Sequence, residues 1–153
     1  MSQQEQKADS IIKKAIIAAA AVGVQPAFVD TPFLVATNGA MLVALAKAYS
    51  YDWSEEHSAR FIKHVVAAGG VSVASWKALA LVVQAAMAVS IIGLPIALTA
   101  NGAVNALITY SLGQAAKHYF ESGGEASDDA VTAVFLDNLT LGGFRRVRGM
   151  LKE

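Results

Sequence analysis

Two histidines, His57 and His64, are seven residues apart in the sequence, and Glu56 precedes the first of them. On a helix this spacing places both imidazoles on one face, two turns apart. Imidazole and carboxylate groups bind zinc and iron, but a helical site needs ligands at i and i+4, or a Glu-x-x-His motif on each of two helices. The sequence has neither pattern, so we interpret both histidines as surface residues and predict no metal site.

Catalytic motifs are also missing from the sequence. There is no cysteine, which excludes thiolate nucleophiles, disulfides and thiolate zinc sites. No serine lies in a Gly-x-Ser-x-Gly motif, and no GxxxxGK[ST] phosphate loop is present. The paired acids Glu55 with Glu56 and Asp128 with Asp129 stand at predicted helix starts, where helix capping explains them. We therefore predict a non-enzymatic protein with no catalytic residues and no cofactor.

The composition indicates one domain that is unusually apolar. Hydrophobic residues make up 55% of the 153 residues and charged residues 16%, whereas soluble domains average about 45–50% and about 25%. Lysine plus arginine number 12, as do aspartate plus glutamate, so we expect no nucleic-acid partner. Residues 1–10 are polar and lack the basic start of a signal peptide. We expect a location in the cytoplasm or at the cytoplasmic face of the inner membrane.

Helices must position these residues, because apolar residues recur at spacings of three and four and alternating strand patterns are scarce. We predict an all-α fold of two Ala-rich helical hairpins, an amphipathic third helix and a short C-terminal helical segment. Asp9 or Ser10 is expected to cap the first helix, and Ser54 the third. The predicted helices span about residues 8–22, 32–49, 54–68, 72–92, 96–120 and 129–137, with a basic segment after them.

Prolines and glycines mark the predicted tips of the two hairpins. Asp30 is the one charged residue between Lys14 and Lys47. We place it just before the second helix, where its carboxylate meets the positive end of the helix dipole. Thr31 followed by Pro32 matches an N-cap with proline in the first turn. The predicted tip residues are Pro26, Asp30, Thr31, Pro32, Gly93 and Pro95.

The segment Ser122-Gly123-Gly124 is the clearest linker in the sequence. It divides the chain into a helical core domain, residues 1–121, and a second part, residues 122–153. The second part contains the linker and a short basic C-terminal helix. We expect this helix to pack on the same domain.

The charge pattern leaves alternatives open for the apolar hairpins. No residue from Ala78 through Ala116 carries a formal charge, and lysines stand at the predicted bases of both hairpins. This pattern is typical of hairpins that enter a bilayer from its cytoplasmic side, by spanning it or by a shallow insertion. The alternative is a soluble bundle that buries its apolar faces between subunits as a homo-oligomer. A third hypothesis is a ligand pocket lined by Asn101, Asn105 and Thr109.

Two groups of residues could contact a membrane or a partner protein. Trp53 follows Tyr49 and Tyr51, which suits either an aromatic belt at a membrane interface or an apolar cap on the bundle. The C-terminal segment has the pattern of a basic amphipathic helix, which suits anionic lipid headgroups or a partner protein. The predicted contact residues are Trp53, Phe144, Arg145, Arg146 and Arg148.

Two stretches of the sequence carry a family resemblance. The first combines Pro26 and Asp30 with a Met41-x-x-x-Leu45-x-x-x-Tyr49 helix, and the second contains Thr109, Tyr110, Gly113, Tyr119 and Phe120. Over roughly residues 9–121 the chain resembles the bacterial domain-of-unknown-function family 697, although Gly93-Leu94-Pro95 replaces the family's Pro-Gly-x-Gly turn. Members occur alone or fused behind small GTPase domains, and some are similar to inner-membrane proteins.

The resemblance implies a helical domain linked to the membrane and a small GTPase on another chain as a partner, and it supplies no catalytic residues. Together with the composition and the charge pattern, it leads us to expect a non-enzymatic, membrane-associated scaffold or adaptor. The alternative that we retain is a soluble homo-oligomeric helical protein.

Overall fold

A computed structural model describes residues 1–23, 31–69 and 100–152. Within these ranges the chain forms helices and no strand, which confirms the predicted all-α fold. The predicted helix 72–92 and the tip of the second hairpin lie outside the described residues. The six helices are α1 (Gln3–Val22), α2 (Thr31–Ala48), α3 (Glu55–Ala68), α4 (Ala100–Glu121), α5 (Asp128–Asn138) and α6 (Leu141–Lys152).

The first helix starts earlier than the apolar spacing indicates. The predicted caps, Asp9 and Ser10, are wrong, because α1 begins at Gln3 and is capped by Ser2. The Ser2 hydroxyl accepts a hydrogen bond from the Glu5 backbone N–H at 3.1 Å, and the Glu5 carboxylate accepts one from the Ser2 backbone N–H. This reciprocal capping box satisfies two amides that would otherwise lack partners.

Serine caps also start α3 and α5. The predicted cap Ser54 is confirmed, and its hydroxyl accepts from the His57 backbone N–H at 3.2 Å. His57 takes the place that glutamate usually has in a capping box, since its Nδ1 accepts from the Ser54 backbone N–H. Ser127 caps α5 by accepting from the Ala130 backbone N–H at 3.2 Å. One of the two histidines considered for metal binding therefore has a local structural role.

Helices α1, α2 and α4 form the centre of the bundle, and α1 runs antiparallel to the other two. The Asp9 carboxylate of α1 lies 2.7 Å from the Lys117 amine of α4, so the N-terminal half of α1 lies beside the C-terminal end of α4. Tyr49, directly after α2, stacks on Phe120 at a ring-centroid distance of 6.2 Å. The C-terminal end of α2 is therefore at this end too, and Val22, Thr31 and Ala100 lie toward the opposite end.

Helices α5 and α6 complete the same core rather than forming a separate layer. Phe135 of α5 and Phe144 and Val147 of α6 are buried in one cluster with residues of α1, α2 and α4. The turn between α4 and α5 uses Gly123 and Gly124 at φ values of 75° and 77°, a conformation that glycine adopts without strain. The C-terminal segment, predicted to be a short basic helix, extends over Leu141–Lys152.

Candidate functional site

Formal charge is distributed unevenly along the three central helices. No charged residue occurs in Ala15–Val22 of α1, in Thr31–Ala46 of α2 or in Ala100–Ala116 of α4. The uncharged stretch is the C-terminal part of α1 but the N-terminal part of α2 and of α4. Because α1 runs antiparallel to the other two helices, the three stretches lie side by side. We call the end of the bundle with Val22, Thr31 and Ala100 the apolar end, and the end with Asp9, Tyr49 and Lys117 the polar end.

Large apolar side chains are exposed toward the apolar end. Ile17 of α1 is 49% exposed, and Phe33 and Val35 of α2 are 53% and 51% exposed. All three belong to the first hairpin, and Phe33 and Val35 lie in the first turns of α2. Apolar side chains left in water favour contact with lipid or with another protein surface.

An open groove runs along α2 and α3, beginning at Val35. Its volume is about 480 Å³. Small residues of α2 form one wall, and α3 supplies Glu56, Ala59 and Ile62 to the other. The groove continues the apolar surface from Val35 toward the carboxylates at the start of α3.

The polar end is held together by contacts between helices. The Lys117 amine lies 2.7 Å from the Asp9 carboxylate and 3.9 Å from the Glu121 carboxylate. The Tyr49 hydroxyl donates a hydrogen bond to Glu121 Oε1 at 2.9 Å. Partial burial and the Glu121 carboxylate raise the pKa of Tyr49 above its ordinary value, since both disfavour the phenolate. The neutral hydroxyl therefore remains the donor throughout the physiological pH range.

An aromatic cluster caps the polar end and contains Tyr49, Tyr51, Trp53, Phe61, Tyr119 and Phe120. The Trp53 ring lies 5.1 Å from that of Phe120 and 5.9 Å from that of Tyr119, both edge to face. The Trp53 indole N–H donates to Ser58 Oγ at 3.0 Å. The rings pack on one another, and the indole N–H has a partner within the bundle. The cluster therefore has the form of an apolar cap.

A pocket of about 440 Å³ opens beside this cluster, and both histidines line it. We call it the aromatic pocket. The His57 ring lies 5.4 Å from that of Trp53. His64 Nε2 lies 3.3 Å from Asp128 Oδ2, so that this pair links α3 to α5. Among residues 1–23, 31–69 and 100–152, no three side chains of the metal-ligating types converge. The pocket therefore combines aromatic rings with two imidazoles and the carboxylates of Asp52 and Asp128.

The residues predicted at the hairpin tips are only partly described. Thr31 is the first residue of α2, and the following Pro32 is exposed. The other four, Pro26, Asp30, Gly93 and Pro95, lie outside the described residues. The three residues of the proposed polar ligand pocket include Asn105 and Thr109, which are 2% and 0% exposed inside the bundle.

The C-terminal contact residues fall on different faces of α6. Phe144 is 6% exposed and belongs to the core, which corrects the expectation that its ring contacts lipid or a partner. Arg145 and Arg146 are exposed, and Arg148 is half-buried. The helix is amphipathic as predicted, but its apolar face packs on its own bundle.

No helix within the described ranges is both long enough and apolar enough to cross a membrane.

The sequence alone did not indicate two surface features. These are the exposed side chains Ile17, Phe33 and Val35 and the α2–α3 groove. A signal for them does exist, because α2 is apolar around its whole circumference and a helix of a small bundle buries only part of its surface.

The family described as Domain of unknown function (DUF697) matches residues 1–141 of the chain. No curated protein and no solved structure is significantly similar to it. The described residues that carry the resemblance are packing residues: Met41 and Leu45 are buried, Tyr49 stacks on Phe120, and Gly113 lies against Ile12. These residues therefore contribute to the packing of the helices in this chain.

Proposed function

The chain belongs to the family Domain of unknown function (DUF697), and from this premise we propose that it is a non-enzymatic, membrane-associated helical domain that acts as a scaffold or adaptor. The observation that carries the proposal is the uneven charge along α1, α2 and α4, with Ile17, Phe33 and Val35 exposed toward the apolar end. Transfer of these side chains into hydrocarbon is favourable by about 25 cal/mol per Å² of buried apolar surface.

The expected insertion is shallow. The uncharged stretch of α1, Ala15–Val22, is about 12 Å long at about 1.5 Å per residue, whereas a hydrocarbon core is about 30 Å thick. Lys13 and Lys14 directly precede this stretch, on the side of the polar end, and suit the headgroup region. In this arrangement the apolar end enters the bilayer, and the polar end with its aromatic pocket remains in water for a partner.

Vesicle flotation tests the proposal with the double variant Phe33→Ser, Val35→Ser. The wild-type chain is expected to float with vesicles of phosphatidylcholine mixed with phosphatidylglycerol. The variant should bind about 30-fold more weakly, because two half-exposed apolar side chains supply about 2 kcal/mol of transfer free energy. Both side chains are exposed, so the variant should retain its helical circular dichroism.

A matched control is the double variant Phe33→Leu, Val35→Ile, which keeps the two positions apolar. It should bind vesicles within about threefold of the wild type, since similar apolar area is transferred. A wild-type chain that stays with the soluble fraction at every lipid concentration would contradict the proposal.

Self-association is the second candidate, and the α2–α3 groove favours it. Ala36 and Ala40 line this groove four residues apart on α2, together with Gly39, and small residues at this spacing let two helices approach closely. Light scattering in detergent-free buffer separates the candidates. A discrete oligomer that Phe33→Ser, Val35→Ser dissociates, with no vesicle binding, would favour the homo-oligomer over the membrane adaptor.

A small GTPase on a separate chain is the protein partner that we propose for the adaptor. Its support is the family resemblance, together with the position of the aromatic pocket at the polar end, away from the proposed lipid contact. Co-elution of the chain with such a GTPase in one nucleotide state is the expected result. Separate elution in both the GDP and the GTP states would remove this partner from the proposal.

A further inference from the structure

The exposed face of α6 combines basic and apolar side chains with two glycines. Phe144 and Val147 are buried, which fixes the rotation of the helix on the bundle. The opposite face contains residues that are all exposed: Leu141, Gly142, Arg145, Arg146, Gly149 and Lys152. No acidic residue occurs between Leu141 and Lys152. The face is therefore positively charged and has little side-chain bulk between its basic residues.

The guanidinium groups of this face are available for a ligand. Arg146 Nη1 donates one hydrogen bond, to Asn138 Oδ1 at 3.1 Å, which leaves most of its N–H groups in water. Within the described part of the chain, the ion pairs do not include Arg145 or Arg146. Arginine binds phosphate with two parallel hydrogen bonds, which makes an anionic phosphate group a suitable ligand.

The start of α6 lies near the apolar end of the bundle. A Cβ atom built on Gly143 would lie 3.2 Å from Leu107 Cδ1, and Leu107 is about 10 Å along α4 from Ala100 at about 1.5 Å per residue. Helices that lie in a membrane interface bury their apolar side chains about 5–10 Å deep. If the apolar end inserts to this depth, Arg145 and Arg146 reach the level of the headgroups.

We propose that the exposed face of α6 binds the anionic headgroups of the bilayer that the apolar end enters. This proposal rests on the proposed membrane association and adds a lipid preference to it. Leu141 is 48% exposed on the same face, and an exposed leucine beside arginines suits an interface with both hydrocarbon and phosphate. These positions favour a lipid surface over an acidic protein as the ligand.

The double variant Arg145→Gln, Arg146→Gln tests this proposal by vesicle binding at low and high salt. On vesicles of phosphatidylcholine mixed with phosphatidylglycerol, its affinity should fall about 25-fold, since each basic residue near an anionic surface contributes about fivefold. On vesicles of phosphatidylcholine alone, its affinity should match that of the wild type. High salt should shrink the difference between the two vesicle types.

The matched control is Lys7→Gln, Lys63→Gln, which removes the same charge from two exposed positions outside α6. It should lower the affinity by no more than about threefold, because its residues lie outside the proposed headgroup contact. Equal losses in the two double variants would overturn the proposal, as would equal wild-type affinity for both vesicle types. A wild-type chain that binds neither vesicle would instead contradict the proposed membrane function itself. The single variant Arg145→Gln, with an expected loss of about fivefold, keeps the test valid if loss of the Arg146 hydrogen bond alters the fold.

Discussion

Replacing Gly143 by alanine is expected to lower the free energy of unfolding by about 3 kcal/mol, which is the upper part of the range for overpacked cores. A Cβ atom at this position would lie 1.8 Å from the Asn138 carbonyl oxygen and 2.9 Å from its carbonyl carbon. Both are backbone atoms, so no side-chain rotation relieves the clash. The start of α6 would have to move away from the end of α5.

The neighbouring Gly142 supplies a matched control. A Cβ atom there would meet Thr140 Oγ1 at 3.5 Å, an ordinary contact distance. Gly142→Ala should therefore leave the free energy of unfolding unchanged or raise it by up to about 1 kcal/mol, since alanine favours a helix over glycine. Urea denaturation followed by circular dichroism measures both variants. Equal stability of the two variants would show that α5 and α6 do not approach each other as described.

Replacing Phe135 by alanine is expected to lower the free energy of unfolding by about 3–5 kcal/mol. The Phe135 side chain is 0% exposed and is among the largest fully buried side chains of the described residues. Its ring also approaches the end of α3, because a Cβ atom built on Gly69 would lie 3.3 Å from Phe135 Cε1. Its removal would leave a cavity between α3, α5 and the central helices.

Leu136→Ala is the control, on the same helix and one residue away. Leu136 is 41% exposed, so its truncation should change the free energy of unfolding by about 1 kcal/mol or less. The same denaturation experiment compares the two variants. A Phe135→Ala variant as stable as Leu136→Ala would place α5 outside the core of the protein.

Several helices could be located from the sequence because local signals mark their ends. Ser54 before two glutamates and Gly69 after an apolar run bound α3 closely, and Ser127 marks the start of α5. The start of α1 was misplaced, because apolar spacing begins only at Ala8 and the capping box lies in a polar stretch before it. The spacing of hydrophobic residues does not reveal a helix boundary that polar hydrogen bonds set.

The candidate site was less predictable, because exposure depends on how helices are rotated against one another. Lysines at the hairpin bases anticipate the separation of charge, since that separation follows from the order of residues along each helix. The exposure of Phe33 and Val35 does not follow in the same way, because α2 has apolar residues on every side. Phe144 is buried although its amphipathic helix suited a lipid surface. The apolar face of such a helix can pack on its own domain as readily as on lipid.

The role of Trp53 also depended on tertiary contacts. Its position after Tyr49 and Tyr51 suited both a membrane interface and an apolar cap. Tyr119 and Phe120 are distant from Trp53 in sequence, but the end of α4 brings both rings against the indole and so forms the cap. The hydrogen bond from its N–H to Ser58 further satisfies the indole within the protein.

The depth of Phe33 in a bilayer tests the central claim most directly. The chain has no cysteine, so Phe33→Cys and Glu125→Cys can each be labelled with an environment-sensitive fluorophore. Glu125 is exposed at the polar end, in the connection between α4 and α5. With vesicles, the label at residue 33 should shift its emission to the blue and be quenched by spin-labelled lipid acyl chains, while the label at residue 125 should remain in water. Labels that stay in water at both positions, with vesicles present in excess, would contradict the membrane association of this domain.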